Sequence, residues 1–126
     1  MKSTLVLLAA TIFLSMSAPL LAEDAPVLRV IVVQSDDPGG YVKEVLETGR
    51  AHQTRLQSTG NLRVWKAKYA GRDAGSIVVA IEYASLAALA ENDKKTAADP
   101  AMSAWIRDLD KTRKIVSDSL YSESKP

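Results

Sequence analysis

The sequence predicts an α+β domain of the ferredoxin-like type, βαββαβ, with a four-stranded antiparallel sheet that carries its helices on one face. Three observations predict it. Two stretches, Val27-Leu28-Arg29-Val30-Ile31-Val32-Val33-Gln34 and Ile77-Val78-Val79-Ala80-Ile81, are apolar at nearly every position, the pattern of strands covered on both faces. Between them, an alternating run from Leu62 to Ala70 is joined to the second stretch by Gly71-Arg72-Asp73-Ala74-Gly75, a short loop with a glycine at each end, which reads as a β-hairpin. Two cap-then-proline pairs, Asp37-Pro38 and Asp99-Pro100, open helices on either side of that hairpin.

The first 22 of the 126 residues read as an export signal. Lys2 supplies a basic start, and an uncharged run from Ser3 to Ala22 follows, with Leu5 to Leu14 as its apolar centre. Cleavage after Ala22 leaves a small residue at the last position, with the bulkier Leu20 two before it; cleavage after Ala18 would put Pro19 next. A retained anchor is the alternative, because the run is roughly long enough to span a bilayer if Ser15, Ser17 and Pro19 are tolerated. Either way residues 23–126 form one domain outside the cytoplasm, periplasmic or secreted. The formal charge of +1 falls to zero once Lys2 is removed, so no net field steers the domain towards nucleic acid or an anionic membrane. With no cysteine, an exported chain this short draws its stability from burial or self-association rather than disulfides.

Each element follows in order. The first strand spans 27–34. The first helix is expected from Pro38 or Gly39 to Ser58, ending at Thr59-Gly60-Asn61, with Val42, Val45, Leu46, Gly49, His52, Gln53 and Leu56 on one stripe. His52, the sole histidine, lies towards the apolar side, beside the room that Gly49 leaves. In the second strand Arg63, Trp65, Ala67 and Tyr69 share one face and Leu62, Val64, Lys66 and Lys68 the other. Ser85 caps a helix from Leu86 to about Lys94, residues 92–98 read as a polar turn, and Asp99-Pro100 opens a helix to about Thr112 with Met102, Trp105, Ile106 and Leu109 inside. A mixed polar and apolar edge strand over 114–121 and a polar tail close the chain. In this arrangement the two continuous apolar strands are central. Helices cover one of their faces, and a second copy of the chain is the expected cover for the other.

Several residues invite a functional reading. If the hairpin loop keeps parity, Trp65, Tyr69 and Tyr83 join Ile77, Val79 and Ile81 on one face, either as core or as an aromatic-rimmed pocket for a flat apolar ligand. His52 is either a general base facing that pocket or a histidine at the margin of the core. Lys66 and Lys68 beside Glu82 suggest cross-strand charge pairs on the even face. Asp36 and Asp37 before Pro38-Gly39-Gly40 suggest a helix cap more than a cation loop. One histidine and no cysteine leave no metal set, so no metal and no cofactor is expected. The C-terminal serines lack a nucleophile-elbow context, and neither strand of the hairpin matches the glycine-aromatic pattern of sheet-borne RNA binding.

The stretches Val64-Trp65-Lys66-Ala67-Lys68-Tyr69-Ala70-Gly71, Val78-Val79-Ala80-Ile81-Glu82-Tyr83, Ser85-Leu86-Ala87-Ala88-Leu89 and Ala98-Asp99-Pro100 resemble the dimeric α/β-barrel superfamily, which includes the antibiotic-biosynthesis monooxygenase-like domains and the stress-responsive barrel proteins. The resemblance covers roughly residues 27–122. It implies a homodimer whose two sheets face each other to close a barrel, with a pocket in each subunit near the sheet and its helices. Activities in that superfamily include cofactor-independent oxygenation of aromatic substrates, haem degradation, isomerisation and dye decolouration, and many members have no known activity. Haem-degrading members use an Asn, a Trp and a haem-ligating His; Trp65 offers the Trp, but His52 lies in the first helix rather than the second half. No catalytic set matches residue by residue. The expectation is therefore an exported homodimer binding a small, mainly apolar or aromatic molecule through His52, Trp65, Tyr69 and Tyr83, with no nucleic-acid partner and no membrane contact once the signal is removed. A cofactor-independent monooxygenase or isomerase with His52 as base, and a structural or partner-binding module, are the alternatives.

Overall fold

The computed structural model describes residues 25–69 and 71–126, so the expected export signal lies outside the described residues. The elements are β1 (Val27–Gln34), α1 (Pro38–Glu44), a π-helical turn (Val45–Gly49), α2 (Arg50–Arg55), β2 (Asn61–Lys66), a 3-10 turn (Gly71–Asp73), β3 (Ile77–Tyr83), α3 (Leu86–Ala98), α4 (Pro100–Asp110) and β4 (Lys114–Ser122). The sheet order is β2-β3-β1-β4 with every neighbouring pair antiparallel. The two continuous apolar strands are central, as their composition predicts. Between Val32, opposite Ser117, and Val33, opposite Ile115, Val116 bulges out of β4.

The three expected caps close the three helix starts. Asp37 Oδ1 accepts from the Gly40 amide at 3.1 Å, Ser85 Oγ from the Ala88 amide at 3.1 Å and Asp99 Oδ2 from the Met102 amide at 2.8 Å. Two boundaries differ from expectation. The first helix stops at Arg55 rather than Ser58, because Gln57 adopts a left-handed backbone (φ 56°) and the Ser58 and Gln57 amides turn back to the Gln53 and Thr54 carbonyls at 2.9 and 3.1 Å. That is a Schellman ending with glutamine where glycine is usual. Residues 92–98, expected as a turn, complete α3: no glycine or proline interrupts the chain before Pro100, and Asp99 caps both helices.

The third difference is one of parity. Lys66 pairs with Ile77, Val64 with Val79 and Leu62 with Ile81, so even residues of β2 share a face with odd residues of β3. The loop reverses the parity, and the aliphatic side of β2 goes to the helices. Leu62 is buried with Val33, Ile77 and Val79 against Tyr41, Val45 and Leu109, and a second cluster joins Val27 and Tyr83 to Leu89, with Ile81 packed against both. Trp65 consequently lies on the opposite, helix-free face, 57% exposed. The charge pair there is Arg63 with Glu82 at 3.4 Å, not the expected pairing of Lys66 and Lys68 with Glu82.

Candidate functional site

The helices do not fill the space above the sheet. A cavity of about 190 Å³ remains between them, floored by Ile31, Val79, Ile81 and Leu62 and walled by Val45 and Ile106. The first helical segment shapes one wall in an unusual way. Tyr41, Val45, Gly49 and Gln53 all line the cavity at a constant spacing of four. An unbroken α-helix would carry such a series round by about 40° at each step, since 3.6 residues make a turn; the π-helical turn at Val45–Gly49 takes up more chain and holds the four in line.

Trp105 of α4 forms the adjoining wall. Its ring lies over Gly49, where a Cβ would come 3.1 Å from Cη2, and its Nε1 donates to Glu44 Oε1 at 2.8 Å. The room beside Gly49 is thus occupied by Trp105, not by His52. His52 stands behind that indole, ring centroids 5.4 Å apart, and its Nδ1 accepts from Arg55 Nη2 at 2.9 Å. It does not line the cavity.

Of the four residues expected at the site, only Tyr83 lines this space. Trp65 is on the far face of the sheet and Tyr69 is fully exposed in the hairpin loop. Tyr83 reaches the cavity because Gly60 yields to it. A Cβ on Gly60 would come 2.8 and 2.9 Å from Cε1 and Cζ of the tyrosine ring, so the glycine expected to end the first helix instead admits an aromatic side chain.

Three cavity residues escaped sequence reasoning: Arg29, Tyr41 and Arg113. Arg29 had a signal, being the one charge on an otherwise apolar strand, at a position whose odd neighbours Val27, Ile31 and Val33 face the helices. Its Nε and Nη2 donate to Asp118 Oδ1 and Oδ2 at 3.0 and 2.7 Å, and this hydrogen-bonded pairing holds the Asp118 carboxyl below its usual range. Arg113, with a side chain only 10% exposed, donates to the Tyr41 hydroxyl at 2.8 Å and, through Nε and Nη2, to Asp110 Oδ1 at 3.0 and 2.8 Å. Tyr83 is 2% exposed, and burial pushes its hydroxyl up to about 12, with Asp93 adding to the shift and Arg29 opposing it. The hydroxyl is therefore protonated throughout the neutral range.

A second, open groove of about 740 Å³ lies where β1 enters α1 and α4 enters β4. Tyr41, Trp105, Leu109 and Arg113 border both spaces, so the Tyr41–Arg113 hydrogen bond stands between groove and cavity. The groove is rimmed by solvated charges, among them Asp36, Asp37, Asp108, Lys111 and Lys114, and is poorly suited to hold an apolar molecule. Among the described residues no group of three or more His, Cys, Asp or Glu side chains could hold a metal ion, and no helix is long and apolar enough to cross a membrane.

No family model matches the chain, and no curated protein matches it. Solved structures do. A NIPSNAP family protein from Agrobacterium tumefaciens is similar with a TM-score of 0.60 at 20% identity, over 80% of this chain and 93% of that one. A conserved protein of unknown function from Bacteroides thetaiotaomicron, described as a possible oxidoreductase, is similar with a TM-score of 0.53 at 6% identity, over 79% of this chain and 99% of that one. At these identities the likeness is one of fold, and it agrees with the ferredoxin-like arrangement of a dimeric α/β-barrel protein.

Proposed function

We propose that this chain is an exported homodimeric α/β-barrel protein that holds a small, mainly apolar molecule in the cavity between its helices and sheet. The observation that carries the reading is the cavity itself: about 190 Å³, with an aliphatic floor and an indole wall. An apolar cavity of about 150 Å³ is large enough to take benzene, so the space suits a single ring with a short substituent. Tyr83 is the expected ligand contact that this reading keeps. His52, behind Trp105 and engaged by Arg55, has no line to the cavity, so the monooxygenase or isomerase reading loses its proposed base.

The helix-free face of the sheet supports self-association. Leu28, Val30, Val32, Val78 and Ala80 form an apolar centre there, and Trp65 and Tyr121 stand beside it, each 57% exposed. A contiguous apolar patch on a sheet whose other face is packed invites a like surface related by a two-fold axis. Native mass spectrometry of residues 23–126 tests both parts. A dimer mass is expected, with one-ring additives retained on it; Val30→Glu, at the centre of the face, should give monomer. A wild-type chain that is monomeric at tens of micromolar, or one that carries no such additive at millimolar concentration, would refute the corresponding half of the reading.

A further inference from the structure

We infer that the molecule held in this cavity carries an oxygen acceptor, a carboxylate or a ring carbonyl, turned towards the hydroxyl of Tyr83 and the Tyr41–Arg113 pair. The inference rests on the cavity reading above and names the class of ligand.

The argument is a count of donors. Tyr83 makes no side-chain hydrogen bond to any described residue, and it is not sealed away either: among the described residues the one fully enclosed side-chain polar atom without a partner is Ser76 Oγ, so the Tyr83 hydroxyl opens onto free space. A hydroxyl in apolar surroundings is destabilising unless something pairs with it. Tyr41, 3% exposed, accepts from Arg113, and its own proton has no acceptor among the described residues. Arg113 has five N–H groups. Asp110 and Tyr41 take three of them, and a side chain 10% exposed leaves the other two little access to bulk water. Arg29 adds N–H groups beyond the two that Asp118 accepts.

Acceptors do not balance these donors. The Asp118 and Asp110 carboxylates are committed to the two arginines, and Asp93 is exposed and makes no hydrogen bond to Tyr83. Gln53 and Asn92 each bring as much donor as acceptor. What completes the site is a ligand oxygen that accepts. Two guanidinium groups at the cavity favour that oxygen carrying negative charge, and the aliphatic floor favours a ring behind it.

Benzoate and toluene differ in this one respect and make the test. In a Trp65→Phe background, Trp105 on the cavity wall is the remaining indole, and its fluorescence reports occupancy. Benzoate is expected to bind at least tenfold more tightly than toluene, and Tyr83→Phe to remove most of that ratio while leaving toluene binding unchanged. Tyr83→Phe deletes a hydroxyl with no side-chain partner, so the fold is retained. Equal affinities, or tighter toluene binding, overturn the acceptor proposal and leave the cavity reading standing. A benzoate preference that survives Tyr83→Phe and Arg113→Met overturns the assignment of its donors. Binding of neither probe overturns the cavity reading, and the proposal with it.

Discussion

Replacing Gly60 by alanine tests the placement of Tyr83 by adding one methyl group. The new Cβ would sit 2.7 Å from Ile81 Cγ2 and 2.8 and 2.9 Å from the Tyr83 ring, whereas ordinary contact begins near 3.4 Å. Neither neighbour is the free end of a flexible chain: one is a β-branched side chain in the core and the other a rigid ring that is 2% exposed. The ring has one direction of escape, into the cavity. Overpacking of this kind costs about 1–3 kcal/mol, and the stiffer unfolded chain of an alanine variant returns about 0.4–1 kcal/mol. Overpacking wins, and the net loss is about 1–2 kcal/mol. For a domain of this size that corresponds to a melting temperature lower by roughly 5–15 °C. Thermal unfolding followed by circular dichroism measures it on residues 23–126. Gly39→Ala is the control of opposite sign, because a Cβ there meets nothing within 4 Å and the helix gains a better former; it should gain about 0.4–1 kcal/mol. A Gly60→Ala protein that melts at or above the wild-type temperature would refute the close approach of Tyr83 and the cavity geometry built on it.

Three further outcomes are expected. Leu62→Ala should lower stability in urea by about 2–4 kcal/mol, while Arg63→Ala, one residue on and facing away from the helices, should stay within about 1 kcal/mol; similar losses for both would mean that the parity of β2 is wrong. Gln57→Gly should raise stability by about 0.5–1 kcal/mol by relieving a left-handed residue, and a loss would argue that the Schellman ending is not formed. Asp99 has its carboxyl lowered to about 2, first by the Arg55 hydrogen bonds and next by the Met102 amide. The folded value lies below the unfolded one, so its contribution is complete above about pH 4 and is lost as the pH falls through about 2. Melting temperatures of wild type and Asp99→Asn should therefore converge across that window, and a gap that stays constant down to pH 2 would contradict the pairing.

What composition could reveal here was whatever a local pattern controls. Continuous apolarity marked β1 and β3 as the sheet centre because burial on both faces leaves no position for a polar side chain. Asp37, Ser85 and Asp99 announced their helices because a cap bonds an amide three residues on, well within local reach. The hairpin faces were beyond such reasoning. Both sides of β2 carry apolar residues, Trp65 on one and Leu62 and Val64 on the other, and the choice between them was made by packing against Tyr41, Val45 and Leu109 from other elements. That choice decided the candidate site, since it sent Trp65 away from Tyr83. Gly60 misled for a related reason: a glycine after a helix reads as its terminator, and its use as clearance for Tyr83, from a strand distant in sequence, leaves no local trace. The polar stretch 92–98 read as a turn because it lacks an apolar stripe, yet it lacks helix breakers as well, and the second property prevailed.

The π-helical turn makes the length of the chain at one point matter more than its chemistry. Removing a single residue from Val45–Gly49 would let the segment close into an unbroken α-helix and turn everything after it by about 100° relative to everything before. Gln53 would leave the cavity wall and Arg55 would swing away from Asp99, with no side chain of either altered. A one-residue gap here in any related chain would therefore mark a differently shaped cavity, even where every aligned side chain is identical.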